Sequence, residues 1–135
     1  VAFKNLPRFQ RALKKAMKKV PEELLIVAHT KVHLDLMADI IENNPVDTGR
    51  SQNGWQSSIG APTETDPPGA APIKDKEIVK TQALERAASV LSGLGPFDSS
   101  HIYNNVNYVK YIEERTSFID LALQRAVVNI NNPAA

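Results

Sequence analysis

The sequence predicts an α+β fold: long N-terminal helices packed on a small antiparallel sheet, then a further helix and a C-terminal helix. Three observations carry that expectation. Apolar residues recur at spacings of three and four over most of residues 3–43, again over 76–93, and again over 117–130. Between these stretches, residues 51–60 and 99–106 read as short strands. The 135 residues suffice for one domain with one ordinary core, and no internal repeat divides them.

In residues 1–20 the apolar stripe is Phe3, Leu6, Phe9, Leu13, Met17 and Val20. Lys4, Arg8, Arg11, Lys14, Lys15, Lys18 and Lys19 fill the remaining arc, so this first segment is expected as a basic helix. Pro21 ends it or starts the next, and Glu22 and Glu23 suit the positive end of a helix dipole. A long helix is expected over 21–43, with Leu25, Ala28, Val32, Leu36, Met37, Ile40 and Ile41 inward and Asn43-Asn44-Pro45 as its stop. The two helices form either a hairpin or a rod bent at Pro21.

Asp47-Thr48-Gly49 reads as a turn, leading into the strand that holds Trp55 and Ile59. Residues 61–77 are expected as an exposed loop, because four prolines crowd into 61–72 among few apolar residues. The next helix, over 76–93, has its helical spacing in Ile78, Val79, Ala83, Ala87, Val90 and Leu91 and stops at Gly93 and Gly95-Pro96. A short helical turn holds Tyr108, Tyr111 and Ile112. The last helix, 117–130, carries Phe118, Leu121, Ala122, Arg125 and Val128 along one side.

Charge is unevenly spread. Residues 1–20 hold seven basic groups and no acid, leaving nine basic against fifteen acidic groups over the other 115 residues. A +7 segment therefore sits on a −6 remainder, an asymmetry that bears on partners. Three readings stay open for it: a solvated face, docking to an acidic patch on a neighbouring subunit, or tracking of a phosphate backbone. No aromatic residue interleaves the cations for base stacking.

Catalytic signals are weak. The absence of cysteine removes disulfides, thiolate catalysis and thiolate metal sites. His29 and His33 share the spacing of a helical metal pair, but Thr30 stands where a metalloprotease has glutamate. They read as two partly exposed helix histidines, with a metal-dependent hydrolase as the competing account. Gly93-Leu94-Gly95 lacks a phosphate loop's third glycine, and Ser51, Ser57 and Ser58 lack a nucleophile-elbow context. Glu113 and Glu114 point about 100° apart on a helix and read as a solvated pair. No enzyme and no cofactor are expected. No apolar run approaches the roughly 20 residues of a membrane span, and the basic N-terminus lacks the apolar run and cleavage site of a secretory signal.

One phrase stands apart. Asn44-Pro45-Val46-Asp47-Thr48-Gly49-Arg50 follows a long amphipathic helix and precedes the Trp55 strand. Pro45 ends the helix, Asp47 can accept from amides two residues on, and Gly49 supplies an unrestricted φ. It resembles the "PVDTG-R/L" turn of the neck and tail-completion proteins of long-tailed bacteriophages, the family that includes the minor tail protein Z of phage lambda. Tyr108, Tyr111, Glu113 and Thr116 are similar to that family's "Y-x-x-Y-x-E-x-G-T" stretch. Phe118, Ile119, Ala122 and Leu123 are similar to its "P-F-L-x-P-A" helix start. Arg115 replaces the usual glycine, and Ser117 and Leu121 replace the two prolines. The loop between Thr116 and Phe118 is essentially absent, and residues 61–77 are the natural substitute for its contacts.

The resemblance spans roughly residues 20–130 and implies a structural virion protein, assembled in the host cytoplasm, where the tail meets the DNA-filled head. It implies a ring, commonly hexameric, with head-closure or adaptor proteins on one side and tail-terminator or tail-tube proteins on the other. Packaged DNA would pass through the lumen. A tail terminator capping the tube is the near alternative, and a nucleic-acid-binding module using the basic helix is the distant one.

Overall fold

The computed structural model describes residues 3–46, 49–63, 72–106 and 109–132. It has the expected α+β architecture, in the order α1 (Leu6–Met17), α2 (Leu25–Asn43), β1 (Trp55–Ile59), α3 (Lys76–Leu91), β2 (Ser100–Asn104), α4 (Val109–Thr116) and α5 (Phe118–Asn131). β1 and β2 pair antiparallel from Trp55 opposite Asn104 to Ile59 opposite Ser100. The connection between them is α3, which packs back over β1. α2 is the central element, in contact with α1, α3, α5 and β2.

Pro21 belongs to neither helix. It precedes one 3₁₀ turn, Glu22–Leu24, that leads into α2. Phe9 and Leu36 share one apolar core, whereas a continuous rod would hold them about 40 Å apart. The chain therefore folds back on itself. α1 and α5 run in the same direction: Asn5 meets Asp120 at one end, and Arg11 and Lys15 flank Val127 and Asn131 at the other.

Several expectations need correction. The first strand is only five residues, because Gln52–Gly54 form a 3₁₀ turn rather than extended chain. The loop expected over 61–77 ends early. Asp75 caps α3 by accepting from the Glu77 and Ile78 amides at 3.1 Å, and Lys76 and Glu77 are already helical. Ile73 packs against the core, and its carbonyl accepts from Gln52 Nε2 at 2.7 Å. Residues 64–71 lie outside the described residues.

α3 buries Val79, Ala83, Ala87 and Leu91, strictly four apart, while Ile78 and Val90 stay exposed. In α5, Leu121 and Val128 are likewise exposed, and the buried side is Phe118, Ala122, Leu123 and Val127. A helix 3–4 pattern admits two adjacent stripes, and packing selects one. α2 is buried only along its second half, at His33, Leu36, Met37, Ile40 and Ile41. Ile26 and Val27, near its start, face outward.

Candidate assembly surface and the corner behind it

The turn after α2 is a buried corner. Asn44 is fully buried and works as its hub: Oδ1 accepts from Trp55 Nε1 at 2.8 Å, and Nδ2 donates to Ser51 Oγ at 3.0 Å. Asn104 of β2 donates to the Ser51 carbonyl at 2.7 Å, tying the corner to the sheet. Lys76 closes the end of α2, its Nζ donating to the carbonyls of Ile41, Glu42 and Asn44 at 3.1, 2.9 and 2.6 Å. A cation suits the negative end of a helix dipole. Burial nevertheless holds this ammonium below its ordinary pKa, against the pull of Glu42.

Gly49 has φ +85° and is buried; a side-chain carbon there would overlap the Ile73 carbonyl. Pro45 is half-buried, while Val46 and Arg50 are exposed. Asp47 and Thr48, the polar centre of the expected turn, lie outside the described residues.

The second motif patch meets the first. Trp55 stands edge-on to Phe118, with ring centroids 6.2 Å apart and planes at 79°, so two patches about 60 residues apart in sequence share one contact. Thr116 Oγ1 donates to the Ile112 carbonyl at 2.7 Å, Tyr111 lies exposed beneath Lys110, and Tyr108 is outside the described residues.

Glu113 departs from the sequence reading. It is not half of a solvated pair: it is 4% exposed, and only Glu114 faces solvent. Its Oε1 accepts from the Ile119 amide at 2.7 Å and its Oε2 from the Asp120 amide at 3.2 Å. Ser117, at φ +56°, turns the chain so sharply that a carboxylate from α4 serves as the N-cap of α5. Burial raises the Glu113 pKa, the two amide bonds lower it, and Asp120 raises it further. Asp120 passes the network on, accepting from the Asn5 amide at 2.9 Å and Asn5 Nδ2 at 3.0 Å. That pair anchors the start of α1 to the start of α5.

One of the two histidines also differs from expectation. His33 is buried, and both it and His29 are structural partners of the sheet. Ser57 Oγ donates to Met37 Sδ at 3.3 Å, so it accepts from His33 Nε2 at 2.8 Å. His33 Nδ1 then accepts from Ser100 Oγ at 2.8 Å, and Ser100 Oγ accepts from His29 Nε2 at 2.8 Å. These roles suit a neutral His33, whereas His29 Nε2 can donate from a neutral or a charged ring. Burial, with the charges of His29 and His101, lowers His33 to about 4; burial also lowers His29, partly offset by Asp98. Among the described residues no group of three or more His, Asp or Glu is placed to hold a metal.

The basic segment presents a distinct surface. Lys4, Arg8, Arg11, Lys14, Lys15, Lys18 and Lys19 are all exposed, and none pairs with a described acid. Arg8, Arg11, Lys15 and Lys19 follow one stripe and rim two joined depressions of about 260 and 320 Å³ between α1 and α5. The floor is Ala12, Ala16, Val127 and Ile130. Sequence periodicity implied the cations' arc but not the groove, which exists only because α5 lies alongside.

No protein-family model, curated relative or solved structure matches the chain. No described helix is long and apolar enough to cross a membrane.

Proposed function

We propose that this chain is a structural subunit of a bacteriophage neck, a tail-completion protein that forms a ring joining the tail to the DNA-filled head. The observation that carries this reading is the Trp55–Phe118 contact. The phrase around Pro45–Arg50 and the stretch from Tyr111 to Phe118 resemble a single family, and Trp55, which follows the first, touches Phe118, which ends the second. Glu113 and Gly49, both motif positions, have defined mechanical roles, the first as the cap of α5 and the second as the close approach to Ile73.

A ring subunit works by rigid shape and repeated complementary surfaces rather than by a reactive group. Asn44 and Glu113 are committed to the corner and to the cap of α5, and His33 to the sheet. Head-closure or adaptor proteins and tail-terminator or tail-tube proteins are its proposed neighbours in the virion, with DNA passing through the lumen. The tail terminator is the nearest variant of this reading. The exposed, acid-free cation stripe favours a second reading, a duplex-binding module whose affinity falls steeply with salt.

The test is genetic. Deleting the gene from the phage genome that encodes it should yield DNA-filled heads and separate tails, rescued by the chain in trans, and purified particles should contain the chain. Intact infectious particles from the deletion, or particles lacking the chain, would sink the reading.

A further inference from the structure

We infer that the groove between α1 and α5 of one copy receives the acidic, apolar knob at residues 22–27 of a second copy. The inference rests on the ring reading above and names the contact that would join its subunits.

The groove combines two chemistries. Its rim is polar and cationic, from Arg8, Arg11, Lys15 and Lys19 with Asn131, and its floor is apolar, from Ala12, Ala16, Val127 and Ile130. A phosphodiester backbone would use the rim and leave the floor wet. An occupant carrying both acid and hydrocarbon uses both, since desolvating the floor also strengthens the ion pairs around it.

The chain carries such an occupant on its own surface. Glu22 and Glu23 occupy the 3₁₀ turn, both exposed and without an ion pair to a described residue. Directly behind them, Leu24 is 50%, Ile26 39% and Val27 66% exposed. The knob is held in shape, with the Leu24 amide donating to the Pro21 carbonyl at 2.9 Å and α2 continuing from Leu25. Within one molecule these side chains remain uncovered, so the knob does not fill the groove of its own subunit.

Groove and knob are different patches of one chain. A contact between them is heterologous: each copy offers a free groove at one side and a free knob at the other. Such contacts propagate from copy to copy and close into a ring when the rotation permits. The +7 segment thus meets part of its compensating negative charge on the next subunit.

The test uses the full chain and native mass measurement over a range of protein and salt concentrations. Wild type should give a mass several times the 14.8 kDa of one chain at low salt and shift toward that value as salt rises. Lys15→Glu with Lys19→Glu, and separately Glu22→Lys with Glu23→Lys, should each remain at the single-chain mass. All four side chains are exposed, and circular dichroism melts check that each variant folds. Mixing the two variants should raise the mass to at least a pair, because the first keeps a native knob and the second a native groove.

Three results overturn the inference: either variant assembling as wild type does, a mixture that stays at the single-chain mass, or a wild type that never leaves it. A wild type that instead binds a fluorescein-labelled duplex through Lys15 and Lys19 without self-associating also overturns it, giving the groove to phosphate. Rings that form through another surface remove this contact but leave the neck reading intact, which falls only on the deletion test.

Discussion

The backbone N–H of Ile119 donates to Glu113 Oε1 at 2.7 Å, across a turn of only a few residues. That bond makes a side chain of α4 the cap of α5, and a second bond from the Asp120 amide completes it. Glu113→Ala is expected to cost about 1–2 kcal/mol, as loss of a helix cap generally does. Urea unfolding at neutral pH measures it.

The same carboxyl has a pH signature. Burial and the nearby Asp120 raise its pKa in the folded state above the ordinary 4.5, the amide bonds only partly offsetting them. A carboxyl raised on folding contributes stability in acid, and that contribution is lost as pH rises through the folded value. Wild type should therefore compare most favourably with Glu113→Gln below pH 4.5 and lose ground above it. A stability difference that is flat from pH 4 to 7 would contradict this.

His33 predicts the opposite slope. Its pKa falls from 6.5 to about 4 on folding, because burial disfavours the charged ring and the charges of His29 and His101 add to that. Its contribution is fully present above pH 6.5 and is lost as pH falls toward 4, amounting to roughly 3 kcal/mol over that window. His33→Gln should flatten the stability curve there, in denaturant titrations at half-unit pH steps.

Two glycines with the same backbone sign separate strain from crowding. Gly49 and Gly60 have φ +85° and +88°, but only Gly49 lies against backbone, at Ile73 and Lys74. Gly60→Ala should cost about 1 kcal/mol, the ordinary penalty of a left-handed residue. Gly49→Ala should cost roughly 3 kcal/mol or more, because the Ile73 carbonyl must move as well. Equal melting-temperature shifts for the two would refute the close approach.

Trp55 joins the two motif patches through its ring and its indole N–H. Phe118→Ala removes a buried aromatic side chain and is expected to cost about 3–5 kcal/mol. Trp55→Phe keeps an aromatic ring but strands Asn44 Oδ1, a buried acceptor, at about 1–3 kcal/mol. Asn44→Ala combined with Trp55→Phe should cost less than the sum of the two changes. Chemical denaturation of the four proteins closes that cycle.

Local chemistry determined much of this protein by itself. Spacing located the four longer helices and a helical turn where α4 forms, because the 3.6-residue period is written into positions such as Val79, Ala83 and Ala87. It placed the stop at Asn44-Pro45, the left-handed glycine at 49 and the seven cations on the exposed side of residues 4–19. Those features depend on neighbours within a turn or two. What tertiary structure decided involves partners far along the chain. Glu113 and Glu114 are identical in sequence terms, and only the turn at Ser117 buries the first under α5. His33 is one helix position among many until Ser57 and Ser100 arrive from the sheet. Ile78 and Val90 fit a stripe as well as Val79 does, yet the direction from which β1 and α2 approach α3 leaves them in water. The uneven charge follows the same division. Sequence put seven cations on one segment, and α5, lying parallel to it, made four of them the rim of a groove with an apolar floor.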